Sequence, residues 1–150
     1  MADTAQPIPV ILCGARAEIG GRVTATIKPE IEVIQFIASV KDAKENFASL
    51  LAGNGPKTQI SNDVGSHNFS RPPRAIIFGR GYTDEEVREL NRLFRGSASQ
   101  PVAWIAGDPS IAPPTNPGPA YALKAAENVK RTLFSWIEAG GESEEVVYYY

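Results

Sequence analysis

Apolar residues along the 150-residue chain fall into two kinds of block that alternate: short unbroken runs, and longer stretches in which apolar positions recur every three or four residues. The first run, Ile8 to Cys13, is continuous and rich in β-branched residues, the pattern of a central parallel strand covered on both faces. Ile19, Val23 and Ile27 follow at four-residue spacing with Pro29 as the stop, which predicts a helix over residues 17 to 28. Glu30 to Ser39 supplies a second strand. Val40 to Ala52, with Ala43, Phe47, Leu50 and Leu51 at helical spacing, predicts a second helix that Gly53-Asn54-Gly55-Pro56 ends. Lys57 to Arg74 is polar and aperiodic and reads as a long loop. Ala75 to Phe78 is the third strand; Thr83 to Glu86 is a capping box opening a helix with Val87, Leu90 and Leu93 on one face, and Gly96 ends it. Val102 to Ala106 is the fourth strand, and the proline-rich stretch Asp108 to Pro119 leads into a last helix, Ala120 to Ala139.

Strands that alternate with helices in this way predict an α/β fold, a three-layer open sheet of about four parallel strands with helices on both faces. Such a sheet is Rossmann-like or flavodoxin-like. The strand order leans to 3-2-1-4 over 2-1-3-4, and in both the first strand is central. Residues 1–140 read as a single domain, with 141–150 an acidic, tyrosine-rich tail that either hangs free, adds an edge strand through Val146 to Tyr150, or packs on a partner.

Composition narrows the partners. A formal net charge of −2 builds no field for a polyanion, so no nucleic acid is expected. Cys13, the lone cysteine, lies in an apolar run and reads as a buried small hydrophobe in a reducing compartment. The amino-terminal residues have no basic start or apolar stretch of signal-peptide length, and no segment approaches a membrane span. The expectation is a cytoplasmic protein with no membrane partner.

Ligands of open α/β sheets bind at the carboxyl edge of the strands, where the strand order reverses. Segments that leave the strands there carry Arg16, Glu18, Ser39, Lys41, Arg80, Tyr82 and Asp108. Asp108 and Tyr82 are the candidates for proton transfer. His67, the single histidine, enters the third strand from the opposite edge and reads as a solvated loop residue. Trp104 and Trp136 have apolar neighbours and read as core. No His, Cys or carboxylate set has metal-ligand spacing.

The most specific segment is the strand-turn-helix VILCGARAEIGGRV. A glycine directly after the strand permits a sharp turn, and later glycines let the helix start approach a phosphate or the sheet, where free N–H groups and the helix dipole favour an anion. Gly14 to Gly20 resembles the Gly-x-x-x-Gly-x-Gly turn of short-chain dehydrogenase and NmrA-like proteins, a likeness that covers the first β-α-β unit, and the whole chain resembles small fungal proteins of Rossmann-like character. The likeness implies a cofactor site at Gly14, Arg16, Gly20, Gly21, Ser39, Lys41 and Arg80. The second strand ends without the acid that would hold a ribose, so NADP is the expected cofactor if there is one. Glu18 stands where the resembled family has its middle glycine, a carboxylate where a pyrophosphate would approach. The dehydrogenases' Tyr-x-x-x-Lys is not present; Tyr121 and Lys124 are one residue too close.

Three functions follow in order. The first is a reduced Rossmann-like protein that binds a nucleotide-like or anionic small molecule at the carboxyl edge, with no reaction required. The second is an interaction protein that has lost its cofactor and forms a homo-oligomer through its tail. The third is a small biosynthetic enzyme that works without a nucleotide, through Asp108 and Tyr82.

Overall fold

The computed structural model of the protein describes residues 6–60, 62–79, 81–110, 119–141 and 145–150. Among these the chain runs β1 (Ile8–Cys13), α1 (Ala17–Thr26), β2 (Ile31–Ile37), α2 (Val40–Leu51), β3 (Ala75–Phe78), α3 (Asp84–Phe94), β4 (Ala103–Ala106), α4 (Pro119–Glu138) and β5 (Val147–Tyr149). The α/β alternation expected from periodicity is present. The sheet has five strands rather than four, because the tail contributes β5 at its edge.

All pairings are parallel and the order is β2-β1-β3-β4-β5. This corrects the expected 3-2-1-4. The third run does not stack outside the second; it returns past β1 and pairs with it from Val10↔Ala75 to Cys13↔Phe78. The chain therefore reverses direction across the sheet between β1 and β3, and the carboxyl ends of those two strands form the switch point.

The two faces bury separate cores. One packs α1 and α4 onto Val10, Leu12, Val33, Phe36, Ile77 and Ile105. The other packs α2 and α3 onto Ile11, Cys13, Ile37, Ile76, Phe78 and Trp104. The units β1-α1-β2, β2-α2-β3 and β3-α3-β4 share one hand on this arrangement. The last does not: α4 lies on the face of α1 while carrying the chain in the opposite direction across the sheet. With the usual right-handed crossover for the first three, β4-α4-β5 is left-handed, a rare connection among parallel units.

The two edges of the sheet are finished differently. Along β2 the long loop lies as a cover, with Phe36 N–H donating to Val64 O (3.3 Å), Ser66 N–H to Val33 O (2.8 Å) and His67 N–H to Ile34 O (3.0 Å). Gly65 makes this approach possible: its φ is +109°, and a Cβ there would stand 3.0 Å from the Ile34 carbonyl. At the far edge β5 is clasped to β4 by Tyr150 N–H to Ala106 O (2.9 Å) and Asp108 N–H to Tyr150 O (3.1 Å). Glu145 fastens its start, accepting from Trp104 Nε1 and Gly96 N–H at 3.1 Å each, while Asn91 Nδ2 donates to its carbonyl.

Candidate functional site

The glycine turn after β1 is where the sequence placed the site, and the structure shows what its glycines are for. Phe36 of β2 lays its ring under the turn. A Cβ on Gly20 would overlap that ring, and one on Gly14 would touch it at 3.3 Å. Both glycines thus seat α1 against the sheet. Gly21 has open space around it, so no contact demands glycine there.

The turn after β3 meets it face to face. Gly79 N–H donates to Cys13 O at 2.7 Å, and Gly81 abuts Ala15 so closely that a Cβ on Gly81 would overlap it. The crevice between the two switch-point turns is therefore filled by the chain itself. Space opens beside it instead. A cavity of about 260 Å³ runs from the switch point down between α1, α4 and the sheet. Its walls are mainly Leu12, Ile19, Val23, Phe36, Ile77 and Val129, with Arg16, Tyr121 and Tyr150 as polar members.

The cavity arises from the composition of α4. Its first half presents alanine to the core, Ala122, Ala125 and Ala126, whereas its second half presents Leu133 and Trp136. Opposite Gly20 of α1, Ala125 borders unfilled volume at the carboxyl end, and the bulky residues close the amino end.

The start of α1 carries an acid in its first turn, Glu18, as α2 and α3 do, but lacks the side-chain cap that they have. Ser39 caps α2 by accepting from Asp42 N–H, and Thr83 with Glu86 forms a full capping box on α3. Arg16, the N-cap of α1, makes no side-chain cap. The N–H groups of the first turn and an exposed guanidinium that forms no ion pair among the described residues thus meet at the rim of the cavity.

Of the residues singled out from sequence, Gly14, Arg16 and Gly20 line this cavity. Gly21 is not part of the lining. Ser39 is committed to its cap, and Lys41 is exposed on α2, which packs on the opposite face. Arg80 lies outside the described residues. Glu18, in the first turn of α1, does not line the cavity; it is exposed and reaches Arg22 one turn on, at 3.8 Å.

Tyr82 and Asp108 are not brought together. Tyr82 is buried among the α2/α3 core and donates to Ile37 O at the end of β2 (3.1 Å). Burial pushes its phenol far above the ordinary range, with Cys13 and nearby carboxylates adding to the effect. Asp108 leaves β4 and accepts from Ser110 N–H (2.9 Å) and Oγ (2.7 Å) in a local turn. Since β2 and β4 are separated by three strand spacings, about 14 Å lies between these exits. His67, exposed at φ 58°, stacks on Phe69 over the β2 edge. Cys13 is fully buried, and desolvation raises its thiol well above its usual range.

Sequence reasoning missed Ile19, Ala125, Tyr121 and Tyr150 as site residues. The cluster of alanines at 120, 122, 125 and 126, set before Leu133 and Trp136, was the available sign of an underfilled half-helix. Among the described residues, no group of His, Cys, Asp and Glu can hold a metal, and no helix is long and apolar enough to cross a membrane.

Fold and site together define a five-stranded, doubly wound α/β protein with an apolar cavity at its switch point. The chain is 34% identical over 143 residues to the Kojic acid related protein 6 of Aspergillus oryzae, covering 95% of this chain and 86% of that one, and it belongs to that protein's family. No protein-family model matches it, and no solved structure does.

Proposed function

We propose that the protein binds a small anionic molecule at the carboxyl edge of its sheet. The observation that carries this reading is the cavity opening at the switch point, with the uncapped first turn of α1 and Arg16 at its rim. The reading is one of binding, since the Tyr82 hydroxyl and Asp108 Oδ1 are held in structural hydrogen bonds and lie on separate strand exits. Among nucleotides NADP is the one to test, because β2 ends without an acid for a bare ribose. The relative's name adds kojic acid to the set.

A ligand of the native state raises the melting temperature. The test is thermal denaturation with millimolar NADP, NAD, inorganic phosphate, kojic acid and 2-naphthoate, repeated on Arg16→Gln. At least one compound should stabilise the protein, less so in the variant. If none shifts the transition, or the shift ignores Arg16, the reading fails.

A second reading, self-association through the tail, is favoured by one observation. The β2 edge is covered by its loop, while β5 forms the other edge of the sheet, with Val146 just before it and Tyr149 within it exposed at 44% and 36%. Light scattering on wild type and Val146→Lys decides it, and equal monomer masses would sink it.

A further inference from the structure

We infer that the ligand of this cavity is an amphiphilic aromatic acid, a flat apolar ring body carrying one anionic group, and not a nucleotide; this deepens the anion-binding reading and rests on it. Three observations carry the assignment.

The first is the lining. Below the rim the cavity is walled mainly by Leu12, Ile19, Val23, Phe36, Ile77 and Val129, with Tyr121 and Tyr150 as the polar members, so a sugar or a second phosphate would lose its water and find few replacement partners. An apolar ring loses nothing there and gains burial. The second is the size: about 260 Å³ lies just below the usual range of small-molecule sites and has room for one or two fused rings, not for a dinucleotide. The third is the closed crevice. A pyrophosphate crossing the switch point would have to pass between the β1 and β3 turns, where Gly81 already abuts Ala15. Charge is welcome at one place only, the rim, where Arg16 and the first turn of α1 meet. The ring goes down along Phe36 and the acid stays up.

The same denaturation assay tests this with matched probes: 2-naphthoate, the neutral 2-naphthylmethanol of the same body, and inorganic phosphate and NADP, which carry charge without the apolar body. Saturating 2-naphthoate should raise the melting temperature by about 3 °C or more. The alcohol should bind about tenfold more weakly for want of the charge-assisted contact, and phosphate and NADP should leave the transition in place. Ala125→Leu fills the cavity and should abolish the naphthoate shift while leaving a folded protein; Ile19→Phe does so from α1, should the first variant fold poorly. Arg16→Gln should bring naphthoate down to the affinity of the alcohol.

The inference is overturned if naphthoate does not stabilise, if both filling variants keep the full shift, or if the alcohol binds as well as the acid. Stabilisation by phosphate or NADP that depends on Arg16, with naphthoate inert, would overturn the aromatic body and leave the anion reading standing. Naphthoate and alcohol binding equally, both blocked by Ala125→Leu and both indifferent to Arg16, would do the reverse.

Discussion

The two faces of this one sheet are built on opposite principles. The α2/α3 face is an aromatic interlock: Phe47 meets Phe94 edge-on at 5.5 Å and Trp104 at 6.2 Å, and Phe78 stacks on Trp104 at 6.1 Å. Tyr82 closes it with its phenol bonded to Ile37 O. The α1/α4 face is aliphatic over most of its area and closed by Leu133 and Trp136 at its amino end, but at the carboxyl end it presents small residues, Gly14, Gly20 and Ala125, with the Phe36 ring filling part of the gap. One face holds rings against rings. The other trades packing for a cavity at the edge where ligands enter such folds. The proposed binding site and the most aromatic part of the core thereby lie on different sides of the same strands.

Truncation should separate them most sharply. Phe47→Ala removes a fully buried ring that three aromatic neighbours touch, and should cost about 3–5 kcal/mol by chemical denaturation. A loss under about 1 kcal/mol would mean that this face is not the packed one. Enlargement gives the converse. Ala43→Leu on α2 forces bulk into a filled core and should cost about 1–3 kcal/mol, whereas Ala125→Leu on α4 enters existing space and should be neutral or stabilising by up to about 1 kcal/mol. Equal costs for the two would erase the distinction between the faces.

Within the α1/α4 face two adjacent glycines make a finer contrast. Gly20→Ala drives a methyl into the Phe36 ring and should destabilise by about 1–3 kcal/mol, with part of the loss recovered in the double variant with Phe36→Leu. Gly21→Ala meets nothing and should stabilise by about 0.5–1 kcal/mol, since alanine is the better helix former. If both substitutions destabilised alike, the turn's glycines would answer to the backbone and not to Phe36.

This contrast also marks where the sequence was legible. Local signals were strong: the apolar run of β1, the capping box at Thr83 and Glu86, and the four-residue strand Ala75–Phe78 all lie where their patterns put them. Long-range choices were not. A buried strand is apolar on both faces, so nothing in Ala75–Phe78 says whether it pairs with β1 or beyond β2, and the order came out as 2-1-3-4-5. β5 was one of several options for the tail because three residues carry almost no periodicity. Its anchor is a buried Glu145 at φ 56° that reaches Trp104 and Gly96, contacts distant in sequence. At the site, the turn's glycines read the same for a phosphate as for an aromatic ring beneath them. Only the position of Phe36 tells the two apart, and the cavity is a property of what α4 leaves empty.

The smallest effect concerns the strand between the two faces. β5 turns Tyr150 toward the cavity and Tyr149 toward α3, where its phenol donates to Asp84 Oδ1 at 2.6 Å beside the Asp84–Arg88 pair. That hydrogen bond, and Arg88 after it, hold the Asp84 carboxyl below its usual range; the Tyr149 phenol is raised, first by desolvation and then by Asp84. A lowered carboxyl stabilises the fold above its unfolded value, and that contribution is lost as pH falls through the folded one. A raised phenol stabilises below its unfolded value, and that contribution is lost as pH rises through the folded one. The tie therefore works between about pH 4 and pH 10. Tyr149→Phe should cost under about 1 kcal/mol at pH 7, since the pair is partly in water, and the difference from wild type should shrink on both sides of that window. Because the tie belongs to the α2/α3 side, Tyr149→Phe should leave the naphthoate shift of the cavity intact. A variant whose deficit is flat from pH 3 to pH 7 would show that Asp84 draws nothing from Tyr149, and one that also loses the ligand shift would show that the two faces are coupled through β5.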